Sequence, residues 1–207
     1  MKHIEHLQKD PVMAGLIQKY GALDIGRGYM VMSKGGSGQI SQALFDDLAS
    51  SVIGQLLSVK AAETIRGRVV DLCGGELTTN NILQFTDNDL RAAGLSYGKA
   101  RCILNLAAAV KDNTLDLQNI HNLSNDGIIA ALSNLKGIGK WTAEMFLIFS
   151  LGREDIFSHG DAGLKNAINR LYGNGNTLNK QQAEAIITKW QPYCSYACLY
   201  LWRSLAT

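Results

Sequence analysis

Apolar residues recur at spacings of three and four along almost the whole chain, the signature of helices that bury one face. Residues 4–20 read as one amphipathic helix. Ser41 to Phe45 open another, with Phe45, Leu48, Val52 and Leu56 on its apolar stripe. A third follows from Ser58, a natural N-cap, and carries Ala61, Ala62, Ile65 and Val69 on one side. Thr86 or Asp87 starts a short helix that stops near Gly94, and Ser96 starts one bearing Ile103, Leu106, Ala107 and Val110. Further helices are expected over 125–134, 140–151, 161–172, 180–190 and 193–204. Strand-like alternation is confined to short stretches such as 29–32, and the Gly/Ser cluster at 33–38 reads as a flexible connection. The pattern predicts an all-α fold, a two-lobed bundle of about ten short helices.

Composition narrows the class further. With 207 residues, 46% hydrophobic and 18% charged, the chain can bury a core without staples, as one domain over residues 1–207 in two closely packed lobes. Only Pro11 and Pro192 could interrupt helices. The cysteines, Cys73, Cys102, Cys194 and Cys198, form no CxxC pair, so zinc, iron–sulfur and disulfide frameworks are not expected. The polar start, MKHIEHLQKD, does not resemble a signal sequence, no apolar run reaches membrane-spanning length, and a cytoplasmic protein is expected. The net charge of +2 permits a nucleic-acid partner without selecting one, so any such binding must rest on a few placed groups.

Those groups are concentrated in Leu135-Lys136-Gly137-Ile138-Gly139-Lys140-Trp141-Thr142-Ala143. One helix ends, two glycines bracket an apolar residue, and the next helix begins at once. Glycines let the backbone turn tightly and approach another surface, and the amides that open the following helix favour an anion. With Lys136 and Lys140 beside them they form a compact phosphate clamp. A bare GxG could be a helix–helix turn and nothing more, but the full string is similar to the helix-hairpin-helix motif, here spanning about 126–151.

Twenty residues beyond Trp141 stands Asp161, where a helix should start. Its plainest role is an N-cap. A carboxylate held there by the helix dipole can also do chemistry, because cleaving an N-glycosidic bond builds positive charge on the sugar. It would stabilise that charge and orient water for attack.

Hairpin and spaced aspartate together resemble the helix-hairpin-helix-GPD superfamily of DNA glycosylases, and within it the 3-methyladenine DNA glycosylase II family. The likeness runs through Phe45-x-x-Leu48-Ala49, Ile53-Gly54-Gln55-Leu56-Leu57-Ser58, Ala61-Ala62 and Gly94-Leu95-Ser96-x-x-Lys99-Ala100. It continues through the hairpin, Asp161, Trp190-x-Pro192-Tyr193-x-Ser195-Tyr196-Ala197 and Trp202. The chain departs from the family at His159-Gly160, where a proline usually precedes the acid, and at Leu56, where many relatives have a second glutamine.

The resemblance implies a lobed fold with a base cleft, and Asp161 as the catalytic acid residue. Trp141, Trp202 and Tyr193 (or Tyr200) would wall a base pocket, where an indole attracts a cationic alkylated purine. Gln55, Leu56, Ser58, Lys136, Gly137, Ile138, Gly139, Lys140 and Thr142 would meet DNA, with Gln55 and Leu56 as the wedge that fills the gap left by a flipped base. Core roles for these tryptophans and for Leu56 compete with that reading. The main-chain carbonyls of Ser133, Leu135 and Ile138 would hold Na+ or K+. Relatives that also nick DNA carry a lysine where this chain has Trp141, and Lys140, about 100° away around the helix, points elsewhere. A monofunctional enzyme using water, with no required cofactor and no iron–sulfur cluster, is therefore expected. The preferred substrate is double-stranded DNA with an alkylated purine; uracil, mismatched thymine or hypoxanthine, or a non-catalytic DNA-binding module, are the alternatives. A monomer acting in the cytoplasm (the nucleoid) or a nucleus is expected.

Overall fold

The computed structural model describes residues 1–25 and 37–206, apart from the side chains of 37 and 38. The strand-like stretch at 29–32 and most of the Gly/Ser cluster at 33–38 lie outside the described residues. The described residues form twelve α-helices and no strand. The chain divides into two compact units, one of Met1–Gly28 with Leu147–Thr207 and one of Tyr29–Phe146.

The Tyr29–Phe146 unit holds α3 (Ser37–Gly54), α4 (Val59–Leu72), α5 (Thr79–Ile82), α6 (Asp87–Ala92), α7 (Tyr97–Lys111), α8 (Asn125–Ser133) and α9 (Lys140–Met145). Helix α7 is its axis and touches α3, α5 and α6. It buries Ile103, Leu106 and Ala107 of the stripe read from the sequence, together with Ala100, Cys102 and Ala109, while Val110 is only half-buried. The predicted starts at Ser58, Thr86 and Ser96 are caps that each accept an amide hydrogen bond at the start of α4, α6 and α7, and Ser124 does the same for α8.

The other unit holds α1 (Lys2–Leu7), α2 (Pro11–Tyr20), α10 (Ala162–Tyr172), α11 (Lys180–Ile187) and α12 (Cys194–Leu205). Here α12 is the axis, packed on α2 and α10. His3 of α1 stacks on Tyr196 of α12 with ring centroids 3.8 Å apart. Burial, the largest cause, lowers the His3 pKa.

Three expectations are corrected. The single helix over 4–20 is two, because Asp10 takes the Val12 and Met13 amides as an N-cap and Pro11 then opens α2 at its first position. The helix over 140–151 is α-helical only to Met145 and runs on as a π-helical turn, Phe146–Ser150. The helix carrying Leu48 and Val52 ends at Gly54, so Leu56 does not share their buried stripe. The split of 4–20 and the short α5 raise the number of α-helices from about ten to twelve among the described residues.

Candidate functional site

The hairpin forms where the glycine pair predicts it. After α8 the Ile138 amide donates to Leu135 O at 3.0 Å, closing a tight turn, and the Ile138 side chain is buried as its anchor. Gly137 has φ +104°, and a Cβ placed on it would lie 2.8 Å from both Cβ and Sγ of Cys102 on α7. Two independent constraints therefore require glycine. Gly139 caps α9 without a side chain, in extended conformation, so the first amides of that helix have no side-chain cap. Lys136 and Lys140 are exposed, and Lys140 Nζ lies 3.8 Å from the buried Glu144 carboxylate. Thr142 is buried, and Ser133 and Leu135 sit at the end of α8 and in the turn. The Ser133, Leu135 and Ile138 carbonyls are neutral oxygen donors. Leu135 O already takes one amide and keeps a second lone pair, a donor set suited to a weakly bound monovalent cation at a helix C-terminus.

Beside the hairpin lies the turn between α3 and α4. Leu56 has φ +57° and is fully exposed, which excludes a core role for it. Gln55 Nε2 donates to Gly137 O at 3.3 Å and to Thr142 Oγ1 at 3.1 Å, joining this turn to the hairpin. Ser58, exposed, accepts from the Ala61 amide at 3.3 Å. Trp141, on the first turn of α9, exposes 43% of its surface, so it is not a core tryptophan.

In the other unit Asp161 is the N-cap of α10. Its Oδ1 accepts the Leu164 amide at 2.8 Å and the Trp202 indole N–H at 3.2 Å. The loop before it is stitched to α12: Ser195 Oγ donates to Arg153 O at 2.6 Å and accepts from the Ile156 amide at 3.0 Å. The Ser195 amide adds a bond to Glu154 O at 2.9 Å. The unusual His159 packs edge-on against Phe157, and its Nδ1 lies 3.8 Å from the Glu184 carboxylate of α11. Gly163 is squeezed by the acid itself, because a Cβ there would stand 3.0 Å from Asp161 Oδ1.

Asp161 and Trp202 are thus brought together. Tyr193 belongs to a different cluster, edge-on to His3, His6 and Tyr196. Tyr200 is buried, donating to Gly21 O and accepting the Leu23 amide. Phe149 is an addition: it is 46% exposed on the π-helical turn, its ring 5.9 Å from that of Trp202. The sequence carried a signal for it, since Phe149 falls off the 143, 146, 147, 150 stripe.

Residues 49–192 match the model of the HhH-GPD superfamily of base excision DNA repair proteins. Among solved structures, a DNA-3-methyladenine glycosidase from Bacillus halodurans is 34% identical, with a TM-score of 0.82 over 100% of this chain and 90% of that one. The Schizosaccharomyces pombe 3-methyladenine DNA glycosylase Mag1, solved with abasic DNA, is 27% identical, with a TM-score of 0.83 over 100% and 98%. The DNA-3-methyladenine glycosylase of Saccharomyces cerevisiae is 32% identical over 146 residues, 66% of this chain and 49% of its own. Across the curated relatives it matches, the chain spans from 32% to 78% of their length.

Proposed function

This chain belongs to the HhH-GPD superfamily of base excision DNA repair proteins, and from that premise we propose that it is a monofunctional DNA N-glycosylase acting on alkylated purines of the 3-methyladenine type. The observation that carries the reading is Asp161, a carboxylate fixed by the Leu164 amide and the Trp202 indole N–H. As the purine leaves, positive charge grows on the deoxyribose, and a fixed carboxylate stabilises it without reorganising. Water then attacks the sugar, guided by the same group, because Trp141 stands where the lyases of this superfamily carry lysine. Trp202 with Phe149, and the exposed Trp141, offer electron-rich faces to a cationic base. The hairpin glycines, Lys136 and Lys140 take the DNA backbone, and Leu56 fills the space of the flipped nucleotide. The Ser133, Leu135 and Ile138 carbonyls would hold a monovalent cation, which would bring positive charge next to a phosphate. The protein acts as a monomer on chromosomal DNA, in a nucleoid or a nucleus.

The test is chromatography of bases released from methylated duplex DNA by the wild type and by Asp161→Asn. Methylpurines from the wild type alone, with DNA binding kept by both, support the proposal. Release of uracil or hypoxanthine but no methylpurine from matched substrates would overturn the choice of base. Binding without any release would make the chain a DNA-binding module.

A further inference from the structure

Helix α3 ends on a turn whose exposed residue is unusual. Helix ends commonly place glycine in the left-handed region, whereas here the positive φ belongs to Leu56. A leucine persists in that region only where its surroundings over-determine it. The backbone supplies modest help, with the Gln55 amide reaching Val52 O at 3.4 Å and the Leu57 amide reaching Gly54 O at 3.1 Å. A lysine supplies more. Lys99 Nζ donates to Ile53 O at 2.8 Å and to Gln55 O at 2.6 Å, on either side of Gly54 and immediately before Leu56. These are carbonyls at a helix C-terminus, where a cation is favoured.

Lys99 is itself placed firmly. It sits in the first turn of α7, its amide held by the Ser96 cap, and the rest of α7 is the axis of its unit. Gly94, just before that cap, has φ +111°, and a Cβ on it would lie 3.2 Å from Ile65 Cγ1 of α4. Burial lowers the pKa of the Lys99 amine, a desolvation cost that two charge-assisted hydrogen bonds offset. From the other side Gln55 grips the hairpin through Gly137 O and Thr142 Oγ1. The Leu56 turn is therefore clamped between α7 and the hairpin.

We propose that Lys99 is a positioning residue for the DNA wedge: its ammonium group fixes the turn carbonyls that aim Leu56 into the duplex. The proposal rests on the reading of Leu56 as the wedge. A lysine that only caps α3 would stabilise the protein but leave the wedge indifferent to it.

The experiment uses a duplex with 2-aminopurine beside a tetrahydrofuran abasic-site analogue, whose fluorescence rises when an inserted side chain unstacks it. Amplitude is read at saturating protein, so the electrostatic attraction lost with a charge does not enter. Wild type, Leu56→Ala, Lys99→Met and the double variant are compared. The expected result is that both single variants lose most of the amplitude and the double variant equals Leu56→Ala, because Lys99 acts through Leu56. Single-turnover excision by Lys99→Met should fall about tenfold, and its effect should vanish in the Leu56→Ala background. Lys99→Arg, which keeps charge and donors, restores the amplitude and keeps the test open should Lys99→Met fold poorly. Full amplitude in Lys99→Met, no rescue by arginine, or a further loss in the double variant would overturn the proposal. Full amplitude in Leu56→Ala would instead show that Leu56 is not the wedge.

Discussion

Gly137 is the hairpin residue on which sequence and structure make the sharpest joint demand, and Gly137→Ala tests it. A Cβ would lie 2.8 Å from both Cβ and Sγ of Cys102, well inside contact distance, and Cys102 is itself buried on α7. Overpacking of this kind costs about 1–3 kcal/mol. The φ of +104° adds backbone strain of about 1–3 kcal/mol for any residue with a side chain. Together they predict a loss of about 2–6 kcal/mol, a large part of the roughly 5–15 kcal/mol that holds a domain folded. Equilibrium urea denaturation of wild type, Gly137→Ala, Cys102→Gly and the double variant separates the two causes. Removing the Cys102 side chain should relieve the clash and show a coupling of about 1–3 kcal/mol, leaving the strain in place. A Gly137→Ala loss below about 1 kcal/mol, or no coupling to Cys102, would refute the reasoning.

Trp202→Phe keeps an aromatic face but deletes the indole N–H that reaches Asp161 Oδ1. Base excision should fall about ten- to a hundredfold in single-turnover assays with little change in DNA affinity, the worth of a hydrogen bond to a charged group. Gly163→Ala, whose Cβ would press on the same carboxylate oxygen at 3.0 Å, should slow excision and shift the melting temperature by only a few degrees. Burial pushes the Cys102 thiol from an ordinary 9.0 up to about 11, so the folded protein keeps a proton that the unfolded chain releases. Stability from this group is therefore whole below pH 9 and declines as pH rises from 9 to 11. The loss is on the order of 2–3 kcal/mol, and urea titrations should find that part of the alkaline slope gone in Cys102→Ala.

Much of this molecule is legible in its sequence because helical periodicity and capping residues are local. Ser58, Thr86, Ser96 and Ser124 cap where an oxygen precedes an apolar stripe. The hairpin and Asp161 are equally local, each a short string with a geometric consequence. What periodicity hides is competition between signals. Pro11 splits a stripe that would otherwise run from 4 to 20, because its preceding Asp10 caps better than it continues a helix. Leu56 continues the spacing of Leu48 and Val52, yet Gly54 ends that helix and leaves it exposed. Side-chain partners drawn from distant sequence are less visible still. Nothing near Lys99 announces that its amine serves carbonyls 44 and 46 residues earlier, nor near Tyr193 that it packs on α1.

The most direct test of the proposed chemistry is single-turnover reaction with a duplex carrying one 7-methylguanine, sampled with and without alkaline work-up. Hydrolysis directed by Asp161, with Trp141 in place of a nucleophilic lysine, predicts base release that becomes strand scission only after alkali, and neither in Asp161→Asn. Scission without alkali, or equal release by Asp161→Asn, would contradict it.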